Sequence, residues 1–485
     1  MLTRPVRGLL TVLCTAAVLG AALTASSSPA APSPGTGRDG GPGLGDTYFP
    51  TYGNSGYRVG HYDVRVAFDP RTERLTGTTV IRARATERLT RFHLDLVLRA
   101  RAVEVDGRLA RFSQGRHELV VRPRQAVPAG ERMVVRVRYA GTPAERTIGG
   151  YTPWVTTRDG AVAVGEPEIA AWWFPSNDHP SDRASFDVFV TAPSSRAVLG
   201  NGVLVGKDPG GRRTTWHWRT RSQMATYLAF IAIGDFRVET GRTGGFPYVY
   251  AVANGLPPGT RANAWQSLRS TVRVTRFLAS RWGRYPFGPV GGVVPGHVTS
   301  GNFGYALENQ TRPLYAAGFF GSGPARSVVA HEMAHQWFGD AVAVRRWKHI
   351  WLSEGFATYS EWLWSGHTGG DRADQIFHAR YDNLEPASPF WNLTIGDPGR
   401  RRIFDNRVYV RGAMTAHALR TRIGDRDFFT TARRWVHDNP DGLGTSEELR
   451  RLAERVSGEQ LDGLFRAWLR TARKPAATRA NGVLG

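Results

Sequence analysis

Cysteine is almost missing: one residue, Cys14, in a chain of 485. Disulfide staples and thiolate metal sites are therefore excluded for everything downstream of it. Lysine is nearly as scarce, with Lys207, Lys348 and Lys474 the only three among 63 basic residues. The formal net charge of +22 is thus carried by arginine, scattered along the chain rather than gathered in a patch. Scattered arginine reads as solvated surface, so no nucleic-acid partner is expected. Long apolar runs are missing too. Leu9 to Leu23 falls short of the roughly 20 residues a membrane-spanning helix needs. Arg4 and Arg7 precede that run and small residues from Ala22 to Ala31 follow it. Residues 1–31 therefore read as a secretory signal, which predicts a secreted, extracellular protein with no stable membrane span and no cysteine once the signal is removed.

What is present is a globular composition, 41% hydrophobic and 21% charged. Ser, Pro and Gly dominate from Ser26 to Asp46, so residues 32–47 are expected to be a disordered linker, and 476–485 a disordered tail. From 48 to 240 the pattern has period two: Tyr62, Val64, Val66 and Phe68 alternate with polar residues, as do Met133, Val135, Val137 and Tyr139. Turn signals such as Asp106-Gly107 separate the runs, which predicts a mostly antiparallel β domain. Residues 241–475 read as mainly helical.

The chemistry is concentrated in His331-Glu332-Met333-Ala334-His335. Pro324 stands where a helix can begin and Gly339 where it can stop. Side chains four apart share a helix face, so His331 and His335 can hold one metal ion. Glu332 is rotated by about 100° from His331 and stands beside the ion as a general base. A catalytic zinc takes three protein ligands and keeps one position open. The next acidic residue after Asp340 is Glu354, in a second helical stretch where Ser353 reads as an N-cap. The set predicts one zinc ion per chain. Seven residues on, Glu361 shares a face with Glu354, as a hydrogen-bond partner for a ligand histidine or as a surface glutamate.

His331 to Asp340, followed by Trp351-Leu352-Ser353-Glu354-Gly355-Phe356-Ala357, resembles the gluzincin aminopeptidases, the family of aminopeptidase N and leukotriene hydrolase. The resemblance implies an α+β protein: an antiparallel, saddle-like amino-terminal β domain followed by a thermolysin-like, mainly helical zinc domain. It implies ligands His331, His335 and Glu354 with Glu332 as base. Tyr305-Ala306-Leu307-Glu308-Asn309 resembles the family's Gly-Ala-Met-Glu-Asn and implies that Ala306 and Glu308 bind substrate, Glu308 through its terminal ammonium. Tyr305 replaces the family's glycine, which puts subsite size in question. Val408-Tyr409-Val410-Arg411-Gly412 resembles the segment whose tyrosine donates to the oxyanion, and Gly165-Glu166-Pro167-Glu168 the segment that holds the substrate amine, with Glu168 in that role and Glu166 beside it. The expected activity is removal of single residues from peptides with a free amino terminus, by a monomer. The alternatives are an endopeptidase or epoxide hydrolase on the same scaffold, or a zinc-bearing protein without catalysis.

Overall fold

The computed structural model describes residues 39–483. The expected signal and the first part of the expected linker lie outside them. The alternation in Tyr57–Asp69 is realised: Tyr62, Val64, Val66 and Phe68 point into the core and their neighbours do not. This strand sits in an eight-stranded sheet, antiparallel to Arg74–Ala85 on one side and parallel to Arg183–Pro193 on the other. A five-stranded sheet packs behind, with Ile231–Gly234 between Ala197–Gly200 and Gly160–Ala163 and every residue of it buried. Burial on both faces explains why the sequence from Leu228 to Ile233 is continuously apolar rather than alternating.

The expected boundary at 240 is corrected. It cuts the strand Phe236–Thr243, which pairs with Phe246–Ala253 in a third sheet whose other members are Val290–Val294, Leu314–Tyr315 and Ala306–Leu307. That sheet belongs with the helical half.

Seven helices form most of this half: α1 (Pro258–Leu268), α2 (Thr271–Trp282), α3 (Arg326–His335), α4 (Trp351–His367), α5 (Ala373–Asn383), α6 (Asn406–His437, broken at Gly424) and α7 (Ser446–Ser457). Trp282 of α2 meets Phe338, Phe338 stacks on Phe356 of α4 at 4.4 Å, and Phe356 faces Phe428 of α6. This aromatic column fixes the helices that carry the site. None of the described helices is long and apolar enough to cross a membrane.

Where the described residues reach them, at 39–47 and 476–483, the linker and tail expected to be disordered are ordered instead, because polar groups in plain-looking sequence find buried partners. Asp46 accepts from the backbone N–H of Tyr48 and of Trp347, both at 2.8 Å, and faces Nε2 of His179 at 3.5 Å. It therefore ties 39–47 to both halves. At the other end, Tyr381 donates to the Pro475 carbonyl, Trp468 Nε1 to Asn481, and Val483 is buried. The guanidinium of Arg411, fully buried in α6, donates to the carbonyls of Trp391, Leu393, Ala467 and Thr471 and so fastens the chain just before that tail.

Candidate active site

Helix α3 places His331 and His335 one turn apart, ring centres 4.9 Å from each other. It ends at His335, ahead of the expected stop at Gly339, which turns the chain away with φ of 132°; a Cβ there would lie 3.3 Å from His335 Nδ1, so the position disfavours any side chain. Helix α4 then returns Glu354 to the histidine pair. Its Oε2 lies 3.3 Å from His331 Nε2 and 3.4 Å from His335 Nε2. Donors about 2 Å from a tetrahedral zinc stand roughly 3.3 Å apart, so the three fit that ion. Ser353 is not the cap: α4 starts at Trp351, leaving Ser353 within the first turn.

The remaining ring nitrogens are spoken for. His331 Nδ1 meets Glu361 Oε1 at 2.7 Å and His335 Nδ1 donates to the Phe338 carbonyl at 3.0 Å. Both rings are thereby held with Nε2 toward Glu354, where the three could hold an ion. Glu361 is thus an orienting partner rather than a plain surface residue.

A cavity of about 640 Å³ opens over these donors, and Glu166, Glu308, Glu332 and Tyr409 share its wall with them. Burial raises the Glu332 carboxyl to about 8. Burial also opposes charge on His335, yet Glu354 and Glu308 lift it to about 9. The protein alone thus leaves excess negative potential here, which a divalent cation and an ammonium group would relieve. Glu308 accepts from the Tyr227 hydroxyl at 3.0 Å, and its carbonyl accepts from Gln336 Nε2 at 2.9 Å. Gln336 Oε1 in turn accepts from the Thr311 N–H. The residue next to His335 therefore locks the Glu308 segment to the histidine helix. Tyr409, in the first turn of α6, stacks its ring 5.9 Å from that of His331.

Two family profiles match in the order of the two halves. The Peptidase M1 N-terminal domain covers residues 59–228, and the Peptidase family M1 domain covers 323–468, which holds all three donors, Glu332 and Tyr409. The chain belongs to peptidase family M1. Among curated relatives, Aminopeptidase N of Haemonchus contortus is 26% identical over 61% of this chain and 32% of its own length. Aminopeptidase M1-B of Oryza sativa subsp. japonica is 27% identical over 84% and 49%. The chain spans half or less of the length of these two. The crystal structure of an M1 zinc metallopeptidase from Deinococcus radiodurans covers 90% of this chain and 99% of its own, with a TM-score of 0.78 and 28% identity. A mutant of it bound to a Tyr-Ser-Ala substrate gives 0.79 and 29%.

Within this M1 family member one expected role is corrected. Glu166, not Glu168, lines the cavity. The segment folds back on itself there, so closely that a Cβ on Gly165 would lie 2.8 Å from the Glu168 carbonyl oxygen, and residues two apart do not face the same way. Glu168 is buried with Asp178 and Arg400 as its charged neighbours, and burial holds it near 8. Ala306 and Tyr305 do line the cavity, and Tyr151, Phe319 and Phe404 join Tyr305 in its aromatic wall. The residue in place of the family's glycine thus reaches the cavity. Nothing in the sequence pointed to Tyr151, Phe319 or Phe404; only the fold assembles them.

Two glycines of the M1 motifs, Gly355 and Gly412, face each other. A Cβ on Gly355 would lie 2.7 Å from the Gly412 carbonyl carbon, and one on Gly412 would lie 2.7 Å from the Gly355 Cα. Bare backbone on both helices lets α4 and α6 touch, which seats Tyr409 over the donor set.

Proposed function

We propose that this chain is a secreted zinc aminopeptidase that removes single amino-terminal residues from peptides. The observation that carries the reading is one cavity holding His331, His335 and Glu354 together with Glu332 and two further carboxylates, Glu166 and Glu308. A zinc ion on the three donors would lower the pKa of a water and polarise the first peptide carbonyl. Glu332 takes the proton of the attacking water and passes it to the leaving amine. The Tyr409 hydroxyl donates to the oxygen as negative charge develops on it. Glu308 and Glu166 bind the substrate's terminal ammonium by charge-assisted hydrogen bonds, which sets the cut one residue in. Glu361 keeps the His331 ring oriented throughout. Residues 1–31 support export, and the site is complete within one copy of the chain.

A panel of aminoacyl fluorogenic amides tests this, each with a free and an acetylated amine, with and without chelator. Free-amine substrates should turn over, acetylated ones should not, and chelation should abolish the signal until zinc is returned. Efficient cleavage of acetylated peptides would replace this reading with an endopeptidase. Turnover of epoxides alone would replace it with a hydrolase of another class.

A further inference from the structure

A second group of ionisable side chains lies in the β domain, and none of its members lines the catalytic cavity. Asp95 ends the strand Phe92–Asp95 and Glu118 opens Glu118–Arg122, and the antiparallel register sets them directly opposite each other. Like charges facing across a ladder repel. Asp95 is completely buried. Its Oδ2 accepts from Asn54 Nδ2 at 2.9 Å and from the Asp178 N–H at 2.8 Å, whereas Oδ1 has no partner. Glu118 Oε1 has no hydrogen-bond partner either, nor does the hydroxyl of Tyr52, a residue only 6% exposed. Buried polar atoms left in this condition are costly.

Histidine completes the group. His117 Nε2 stands 3.7 Å from Glu118 Oε1 and 3.4 Å from the Thr51 carbonyl oxygen. The Tyr52 ring stacks on the His117 imidazole at 5.1 Å, fixing its plane. One ligand atom each from Asp95, His117 and Glu118 fall within 4.8 Å of one another. The other oxygen of Glu118, Oε2, meets His93 Nδ1 at 3.2 Å. That partner orients the carboxylate and leaves Oε1 free, as ligand carboxylates are held in metal sites.

We propose that Asp95, His117 and Glu118 form a second divalent-cation site, separate from the catalytic one, that takes zinc or a similar transition-metal ion. The imidazole favours such ions over magnesium or calcium. Its cation would cancel the repulsion of the opposed carboxylates. It would also fasten the segment around Thr51 and Tyr52 to the strand pair, so its role is stability rather than chemistry.

The test is metal stoichiometry on the full chain, equilibrated with micromolar zinc and freed of excess. Wild type should hold two zinc ions, Glu118→Gln and His117→Ala one each, and the double variant His331→Ala/His335→Ala one. Glu118→Gln should keep wild-type kcat on a free-amine substrate while its melting temperature no longer rises with zinc. This count is independent of whether the catalytic reading holds, because the double variant reports on the β domain alone. One zinc in wild type and none in that double variant would overturn the proposal and leave a shared proton between Asp95 and Glu118. Two zinc ions retained by Glu118→Gln would overturn the location. If the double variant does not fold, the wild-type and Glu118→Gln counts decide.

Discussion

Replacing Gly355 with alanine tests the link between backbone contact and catalysis. The added methyl would meet three backbone atoms of Gly412, at 2.7, 2.8 and 3.1 Å. Ordinary contact begins near 3.5 Å, so α4 and α6 must separate by roughly 0.5–1 Å. Overpacking of this kind costs about 1–3 kcal/mol, while alanine in a helix returns about 1 kcal/mol, leaving a net loss of roughly 0–2 kcal/mol. Stability alone would then hardly betray the change. Catalysis should: α4 carries Glu354 and α6 carries Tyr409, and a shift near 1 Å at reacting groups costs about 10²-fold. Gly355→Ala should lose about 10²-fold in kcat on an aminoacyl amide while remaining folded. The control is Gly259→Ala in α1, where a Cβ meets nothing within 4 Å and kcat should not change. Wild-type kcat in folded Gly355→Ala would refute the argument that the glycine pair sets the distance from Tyr409 to the donors.

Three further outcomes follow from the same geometry. Glu361→Gln weakens the bond that fixes the His331 ring, so zinc affinity measured by competition with a chelator should fall about 10–100-fold. Arg411→Met strands carbonyls that the guanidinium now serves and should cost roughly 3 kcal/mol in urea unfolding, more than a typical surface arginine. For Asp46, burial opposes ionisation but His179 and the backbone N–H groups of Trp347 and Tyr48 prevail, lowering its carboxyl from 3.8 to about 2. A depressed folded-state pKa stabilises above the unfolded value and is lost as pH falls through the folded one. Wild type should therefore exceed Asp46→Asn by no more than about 2 kcal/mol at pH 7, and the gap should close between pH 4 and 2.

The helical period and the spacing of ligand residues are local properties, so His331, His335 and Glu354 could be read from the chain, and so could the alternation in Tyr57–Asp69. Glu166 against Glu168 could not, because the choice depends on a turn whose direction is set by packing around Gly165 rather than by either glutamate. Order around Asp46 and after Lys474 was hidden for a related reason. Composition there looks like linker, and what orders it is a few buried hydrogen bonds to residues distant in the chain, Trp347 at 301 positions from Asp46 for one end and Tyr381 at 94 from Pro475 for the other. The aromatic wall of Phe319, Phe404 and Tyr151 likewise comes from three segments with no shared pattern.

Three side chains from α3 and α4, His331, His335 and Glu354, are set to hold one zinc ion in the cavity wall. X-ray absorption at the zinc edge, on the Glu118→Gln protein so that only this site contributes, tests it directly. It should show one zinc per chain with two imidazole nitrogens and the rest oxygen, at about 2.0–2.2 Å. A protein that binds no zinc, or whose zinc shows fewer than two imidazoles, would contradict it.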